Sequence, residues 1–243
     1  MRDPNSPAEP RSKIVLKLIV TCSIASAATL LVIGIIVVVL AQYAADHQPA
    51  SLAGARTFIN SREGLPRNLA ENYLDFSFNY PASWELSPAT GKDKASSFVK
   101  VERKLPDDFT IETFSVGYYS RDATTPAGAH GFAKMAGLIE AQLSKQMPEY
   151  QKLSEGRTTI NRHDGYEFRF RAMARQTPHG DVTIWGRVAL LAESNPALGR
   201  GPVLFMIASS LAPGVQGIDD VGVKGELPVI VNSFKLGPAQ RSF

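Results

Sequence analysis

Hydrophobic and polar positions follow different rhythms in successive parts of this chain. The first part has no rhythm. From Leu18 to Ala45 there is no charged residue, and Ala27 to Leu40 is almost wholly apolar. A helix needs roughly twenty such residues to cross the hydrocarbon core of a bilayer, and this run exceeds that. Residues 14–45 are therefore expected to form one transmembrane helix, an uncleaved signal anchor, because the apolar core of a cleaved signal peptide is usually only about 7–15 residues long. Cleavage near the small residues Ala41, Ala44 and Ala45 is the alternative. Lipidation at Cys22 would leave the apolar run on the mature protein. Arg11, Lys13 and Lys17 precede the run, whereas Asp46 and His47 follow it. Cationic flanks stay in the cytoplasm, so residues 1–13 are expected as a disordered cytoplasmic tail and the rest as extracytoplasmic. That reading makes the chain a single-pass protein of the inner (plasma) membrane. The small residues Ser23, Ala27, Ala28 and Gly34 would let two such helices pack closely, but alone they specify no dimer.

Beyond the run, Pro49, Gly54, Gly64 and Pro66 punctuate residues 46–70, read as a linker with a short helix over Ala50–Ile59. Period two begins at Asp75–Tyr80, and Pro81 stops it because proline cannot donate to a ladder. Trp84–Ser87 resumes an extended pattern, which predicts a hairpin. Phe98–Arg103 and Thr110–Ser120 are further strands, the latter with Phe114, Val116 and Tyr118 in register. The period then changes to that of a helix: Phe132, Met135, Ala136, Ile139, Leu143 and Met147 form one stripe, ended by Pro148. This helix should lie on a sheet. Strands return at Leu153–Ile160, Tyr166–Ala172, Val182–Ala192 and Val203–Leu211, with turns at Asn161–Gly165 and Thr177–Asp181. A closing helix over Gly225–Phe234 buries Leu227, Ile230, Val231 and Phe234 and carries Pro228 in its first turn. Strands, one long helix, more strands and a terminal helix make an α+β domain with a largely antiparallel sheet over residues 71–236, followed by a tail, 237–243.

Composition narrows the function classes. The chain has 243 residues, 44% hydrophobic and 20% charged, as a folded protein does. Its net charge is +3, but four of the 26 basic and two of the 23 acidic residues precede the apolar run, which leaves 22 against 21 for the rest. A near-neutral domain with no basic run gives no electrostatic reason to expect nucleic acid. The single cysteine lies in the apolar run, so the domain has no disulfide.

Candidate chemistry is sparse. His163-Asp164 and His179-Gly180-Asp181 sit in predicted turns that could meet in space, but the usual metal-ligand spacings are missing, so no metal or other cofactor is expected. The doublets Asp107-Asp108 and Asp219-Asp220 read as surface charge, since adjacent carboxylates point different ways. Ser209-Ser210 lacks a glycine-flanked nucleophile turn, and no phosphate-binding glycine loop occurs. The expectation is a non-catalytic protein. Period two also makes a structural statement. If Tyr166–Ala172 and Val182–Ala192 pair with their apolar sets inward, the other face carries Glu167, Arg169, Arg171, Trp185 and Arg187 together. Tryptophan and arginine dominate binding hot spots, so these residues are the candidate partner-binding surface. Local packing of the indole under the arginine stems is the alternative.

Phe76-Ser77-Phe78-Asn79-Tyr80-Pro81-Ala82-Ser83-Trp84 resembles the opening strand and turn of the PsbP-like family, named for an extrinsic photosystem II subunit. The mid-chain helix, the Gly165-Tyr166 strand entry and the closing Asn232-Ser233-Phe234-Lys235-Leu236 resemble that family too. The resemblance spans about Tyr73 to Leu236. It implies an α/β/α sandwich around an antiparallel sheet, and a binding or assembly role in the cell envelope rather than catalysis. The direct membrane anchor departs from the soluble photosynthetic subunit, so no role in oxygen evolution follows. The expected function is binding of a protein partner in envelope assembly or maintenance. A sensor or carrier for a small ligand, metal or lipid is the alternative, and a hydrolase with a dispersed site a third.

Overall fold

The alternating segments pair into two antiparallel sheets. The computed structural model describes residues 54–88, 97–120, 129–192 and 199–237. The expected tail and membrane anchor lie outside the described residues. Among the described residues no helix is long and apolar enough to cross a membrane. The elements begin with β1 (Ala55–Ile59), α1 (Arg67–Glu71), β2 (Phe76–Pro81), β3 (Glu85–Pro88), β4 (Ser97–Lys104) and β5 (Thr110–Ser120). Then come α2 (Ala129–Gln146), β6 (Gln151–Ile160), β7 (His163–Thr177), β8 (Gly180–Leu191), β9 (Arg200–Ser209), α3 (Leu227–Ser233) and β10 (Lys235–Leu236). The large sheet has seven strands in the order β3-β4-β5-β9-β8-β7-β6, and the small one three, β1-β2-β10. The domain is thus mostly antiparallel sheet with few helices.

Period two gives the large sheet two buried faces. On one, Phe168, Phe170 and Ala172 of β7, Val188 and Leu190 of β8 and Val203 of β9 meet Phe132, Met135, Ile139 and Leu143 of α2. On the other, Phe114 and Val116 of β5, Leu204 and Met206 of β9 and Phe98 of β4 meet Phe76 and Phe78 of β2, with Ile230 and Phe234 from α3 and its exit. The long helix lies on a sheet as its stripe requires. The expected α/β/α sandwich holds on that side only. The opposite layer is the small sheet together with the seven-residue α3.

Three local expectations are corrected. First, the expected linker contributes to the fold: Ala55–Ile59 is a strand, not part of a helix, paired from Ala55↔Pro81 to Ile59↔Ser77. Alternation sets Phe58 against the rings of Phe76 and Phe78, at 5.9 and 5.3 Å, and that long-range packing outweighs local helix preference. Second, β2 and β3 form no hairpin. The Trp84 N–H donates to the Pro81 carbonyl at 3.0 Å, and the chain turns a corner from the small sheet to the edge of the large one. Third, the turn expected over Asn161–Gly165 uses two residues only. Asn161 and Arg162 have φ of 45° and 72°, the conformation of a tight hairpin whose twist matches its strands, so His163, Asp164 and Gly165 belong to β7.

One polar group lies deep in this framework. Glu112 of β5 is 1% exposed, its Oε2 accepts from Arg103 Nη1 at 3.0 Å, and its Oε1 has no hydrogen-bond partner among the described residues. Glu226, at the N-terminal boundary of α3, lies 3.8 Å from the same guanidinium and accepts from the Trp84 indole N–H at 2.6 Å. Burial pushes the Glu112 carboxyl above its ordinary value of 4.5, and Arg103 only partly opposes this. A carboxylate raised on folding weakens the fold as pH climbs from its unfolded value through its folded one. Glu112→Gln, which copies the protonated form, should therefore match wild type below about pH 4 and become more stable than wild type towards neutrality, read by urea melts across pH. A variant that loses stability equally at every pH would contradict this.

Packing makes a second prediction. Gly186 of β8 faces α2, where an added Cβ would lie 2.1 Å from Phe170 Cζ. The ring cannot retreat, because Phe170 is fully buried and stacked on Tyr150 at 5.1 Å. Gly186→Ala should cost about 1–3 kcal/mol in chemical denaturation.

Candidate functional site

The register of β7 and β8 brings the five candidate residues onto one face. Arg171 pairs with Trp185, Arg169 with Arg187, and Glu167 with Ala189. Two arginines directly opposite each other would repel. Glu167 resolves this from a diagonal position: it accepts from Arg169 Nε at 2.8 Å and from Arg187 Nε at 2.6 Å. Arg187 also donates to Thr158 Oγ1 of β6 at 3.3 Å, and Arg169 donates to Asp219 at 2.8 Å. The result is a ladder of two cations and two anions that ties the 3-10 turn Ile218–Asp220 to the sheet.

Exposure divides the group. Glu167 is 8% exposed, the Arg187 side chain 11%, and Trp185 packs partly against the aromatic core. Arg171 is exposed and, among the described residues, donates only to the neutral amide oxygen of Gln151, at 3.3 Å. Burial pushes the Glu167 carboxyl up, but Arg187, Thr158 and Arg169 outweigh it and hold the carboxyl below its ordinary 4.5. A carboxylate so held stays an acceptor at neutral pH and is a poor proton donor.

The two turns considered for a metal do not meet. His163 begins β7 and His179 follows its end, so about 50 Å of extended strand separates them. His163 Nε2 accepts from the Leu236 N–H at 3.4 Å, and Asp164 accepts from Thr159 at 3.1 Å. His179 Nε2 sits 2.8 Å from Asp107, its ring edge-on to Phe109, while Asp181 binds Arg175. Among the described residues no three His, Cys, Asp or Glu groups come close enough to share an ion. The acidic doublets diverge as expected: Asp107 turns to His179 and Asp108 to Lys104. Asp219 reaches the ladder, whereas Asp220 accepts from the Gln216 N–H. The contacts of His179 and Asp219 join residues far apart in the chain, and no local spacing announces them.

Two clefts open on the surface. One, of about 510 Å³, lies beside the start of α2 and is lined by Phe132, Arg157, Asp164 and Tyr166 among others. The other, of about 670 Å³, lies on the small sheet beside His163.

No family model and no curated protein matches the chain. Among solved structures, the chain is similar to cyanobacterial PsbP (CyanoP) from Synechocystis, with a TM-score of 0.47 at 11% identity, covering 77% of this chain and 95% of that one. A protein of unknown function from Pseudomonas aeruginosa matches with a TM-score of 0.26 at 14% identity, over 55% of this chain and 75% of that one.

The ladder makes a prediction about stability. Removing one partner of a buried ion pair strands the other, so Arg187→Ala should cost about 3 kcal/mol, while Arg187→Met with Glu167→Leu should cost less than the single change. A depressed carboxylate supplies stability above its unfolded value and loses it as pH falls through the folded one. Wild type should therefore weaken as pH falls below about 4.5, and Glu167→Gln should flatten that limb in urea melts.

Proposed function

We propose that this chain is a membrane-anchored, non-catalytic PsbP-like domain that binds a protein partner at the cell envelope. The PsbP-like reading is supported by how its two quoted ends meet. Ser77 and Phe76 of the opening strand pair with Lys235 and Leu236 of the closing one, and the Asn79 N–H donates to Ser233 Oγ at 2.8 Å. The anchor rests on the uncharged run from Leu18 to Ala45, and the extracytoplasmic placement on the cations before it.

The observation that carries the binding role is Arg171. The ladder neutralises Glu167, Arg169, Arg187 and Asp219 among themselves, but it leaves the Arg171 guanidinium exposed beside Trp185 with no carboxylate partner among the described residues. An exposed guanidinium next to a half-buried indole suits an acidic segment carrying an apolar side chain. Trp185 also supports the core, so Arg171 is the residue to change. The full chain, purified from detergent-solubilised membranes, should retain a stoichiometric protein partner, and Arg171→Glu should lose it with the thermal midpoint unchanged. Equal capture by the folded variant would remove this face from consideration.

A further inference from the structure

The cleft on the small sheet follows from alternation. Phe58, Phe76 and Phe78 turn inward, so Thr57 and Ile59 of β1, Ser77 and Asn79 of β2 and Lys235 of β10 share the outer face. Register sets them in two rows, Ile59–Ser77–Lys235 and Thr57–Asn79, with side chains of neighbouring strands about 5 Å apart. The β6–β7 turn closes one side: Asn161 Nδ2 donates to the Phe234 carbonyl at 2.6 Å, and the Leu236 N–H donates to His163 Nε2. The open cleft of about 670 Å³ is within the usual size of small-molecule sites.

The polar groups there are short of acceptors. Ser77 is 8% exposed, lines the cleft, and makes no hydrogen bond through its hydroxyl among the described residues. Asn79 Oδ1 already accepts from Thr57 Oγ1 at 2.8 Å, which leaves its amide hydrogens to donate. Lys235 has no ion-pair partner among the described residues. Because His163 Nε2 accepts a backbone N–H, the ring proton sits on Nδ1. Burial also holds the His163 pKa below 6.5, in keeping with a neutral ring. A solvent-accessible hydroxyl on a largely buried residue, an amide and an ammonium thus line one space from the sheet floor and the β10 side, with His163 of the turn beside them.

We propose that this cleft binds a phosphate group, free or on a lipid headgroup, through Lys235, Ser77 and Asn79, with His163 at its wall. A tetrahedral oxyanion offers acceptors in several directions at once, which suits a cleft lined by a hydroxyl, an amide and an ammonium on neighbouring strands. The proposal is independent of the partner face, which lies on the large sheet.

The test uses the full chain in nonionic detergent. Equilibrium dialysis measures inorganic phosphate, and a second arm measures binding to micelles doped with phosphatidic acid. Saturable phosphate binding weakened at least tenfold by Lys235→Ala, and several-fold by Ser77→Ala, is the expected result. Lys145→Ala, an exposed cation in the last turn of α2, should change nothing. Binding seen only with phosphatidic acid, with the same pattern of variants, assigns the phosphate to a lipid. Because Lys235 is exposed, its variant remains informative even where Ser77→Ala destabilises the fold. Absence of binding in both arms, or equal binding by wild type and Lys235→Ala, would overturn the proposal.

Discussion

The fold depends on an aromatic seam between its two sheets. Phe76 and Phe78 of β2 stand on one side, and Phe98 of β4, Phe114 of β5 and Phe234 after α3 surround them. Phe78 meets Phe114 edge-on at 5.1 Å, Phe76 meets Phe98 at 5.8 Å, and Phe76 also lies 5.8 Å from Phe234. Each fully buried ring is worth about 1.5–3 kcal/mol of transfer free energy, and favourable ring pairs add about 0.5–1.5 kcal/mol each. The third strand of the small sheet has only two residues, so most of that sheet is the β1–β2 pair, and a two-stranded pair is marginal alone. Here it persists because its inner face is shared with the large sheet. The seam also explains the corner after Pro81: the chain must leave the small sheet to put β3 beside β4, so a hairpin would take β2 away from the rings it serves.

Much of this was legible in the sequence where a local rhythm and the tertiary environment agree. Thr110–Ser120 reads as a strand because Phe114, Val116 and Tyr118 alternate over enough residues to fix both period and face. The stripe from Phe132 to Met147 reads as a helix because no other element spaces apolar residues that way. Ala55–Ile59 was not legible. Its five residues show too little alternation to exclude a helix, and only pairing with β2, distant in the chain, makes them a strand. The corner after Pro81 shows the same limit. Proline announces that a strand stops, not which sheet the next strand joins.

The candidate site divides along the same line. That Glu167, Arg169, Arg171, Trp185 and Arg187 share a face follows from register and needs no coordinates. How they divide the charge does not follow, because Asp219 lies 50 residues beyond Arg169 and reaches it only through the turn at Ile218–Asp220. A face that is uniformly polar in sequence therefore becomes a covered ladder at one end and an exposed arginine at the other. The outer face of the small sheet is hidden in the sequence for a related reason. Ser77, Asn79 and Lys235 are unremarkable apart, and they meet only because β10 returns to β2.

The chain between β9 and α3 connects these observations. It has only one short regular element, the 3-10 turn, yet carboxylates fasten it at its middle and at its end. Asp219 is held by Arg169 on β7, and Glu226 by the Trp84 indole from the corner and by Arg103 from β4. The two fastenings fall on opposite halves of the large sheet, with β5, β9 and β8 between β4 and β7. One segment thus spans the sheet on the side not covered by α2. Within it, Val215 and Val221 add apolar contacts to the aromatic core. The Arg169–Asp219 pair is exposed at Asp219, so screening leaves it little net stability compared with apolar packing. The effect of the fastenings here is on placement. An apolar loop over this face could slide among similar positions, whereas one that strands Asp219 or Glu226 takes one ion pair from Arg169 or leaves the Trp84 indole N–H unpaired. The ladder and the Trp84–Glu226 bond therefore select one position of the loop, and that position buries Glu167 while leaving Arg171 uncovered.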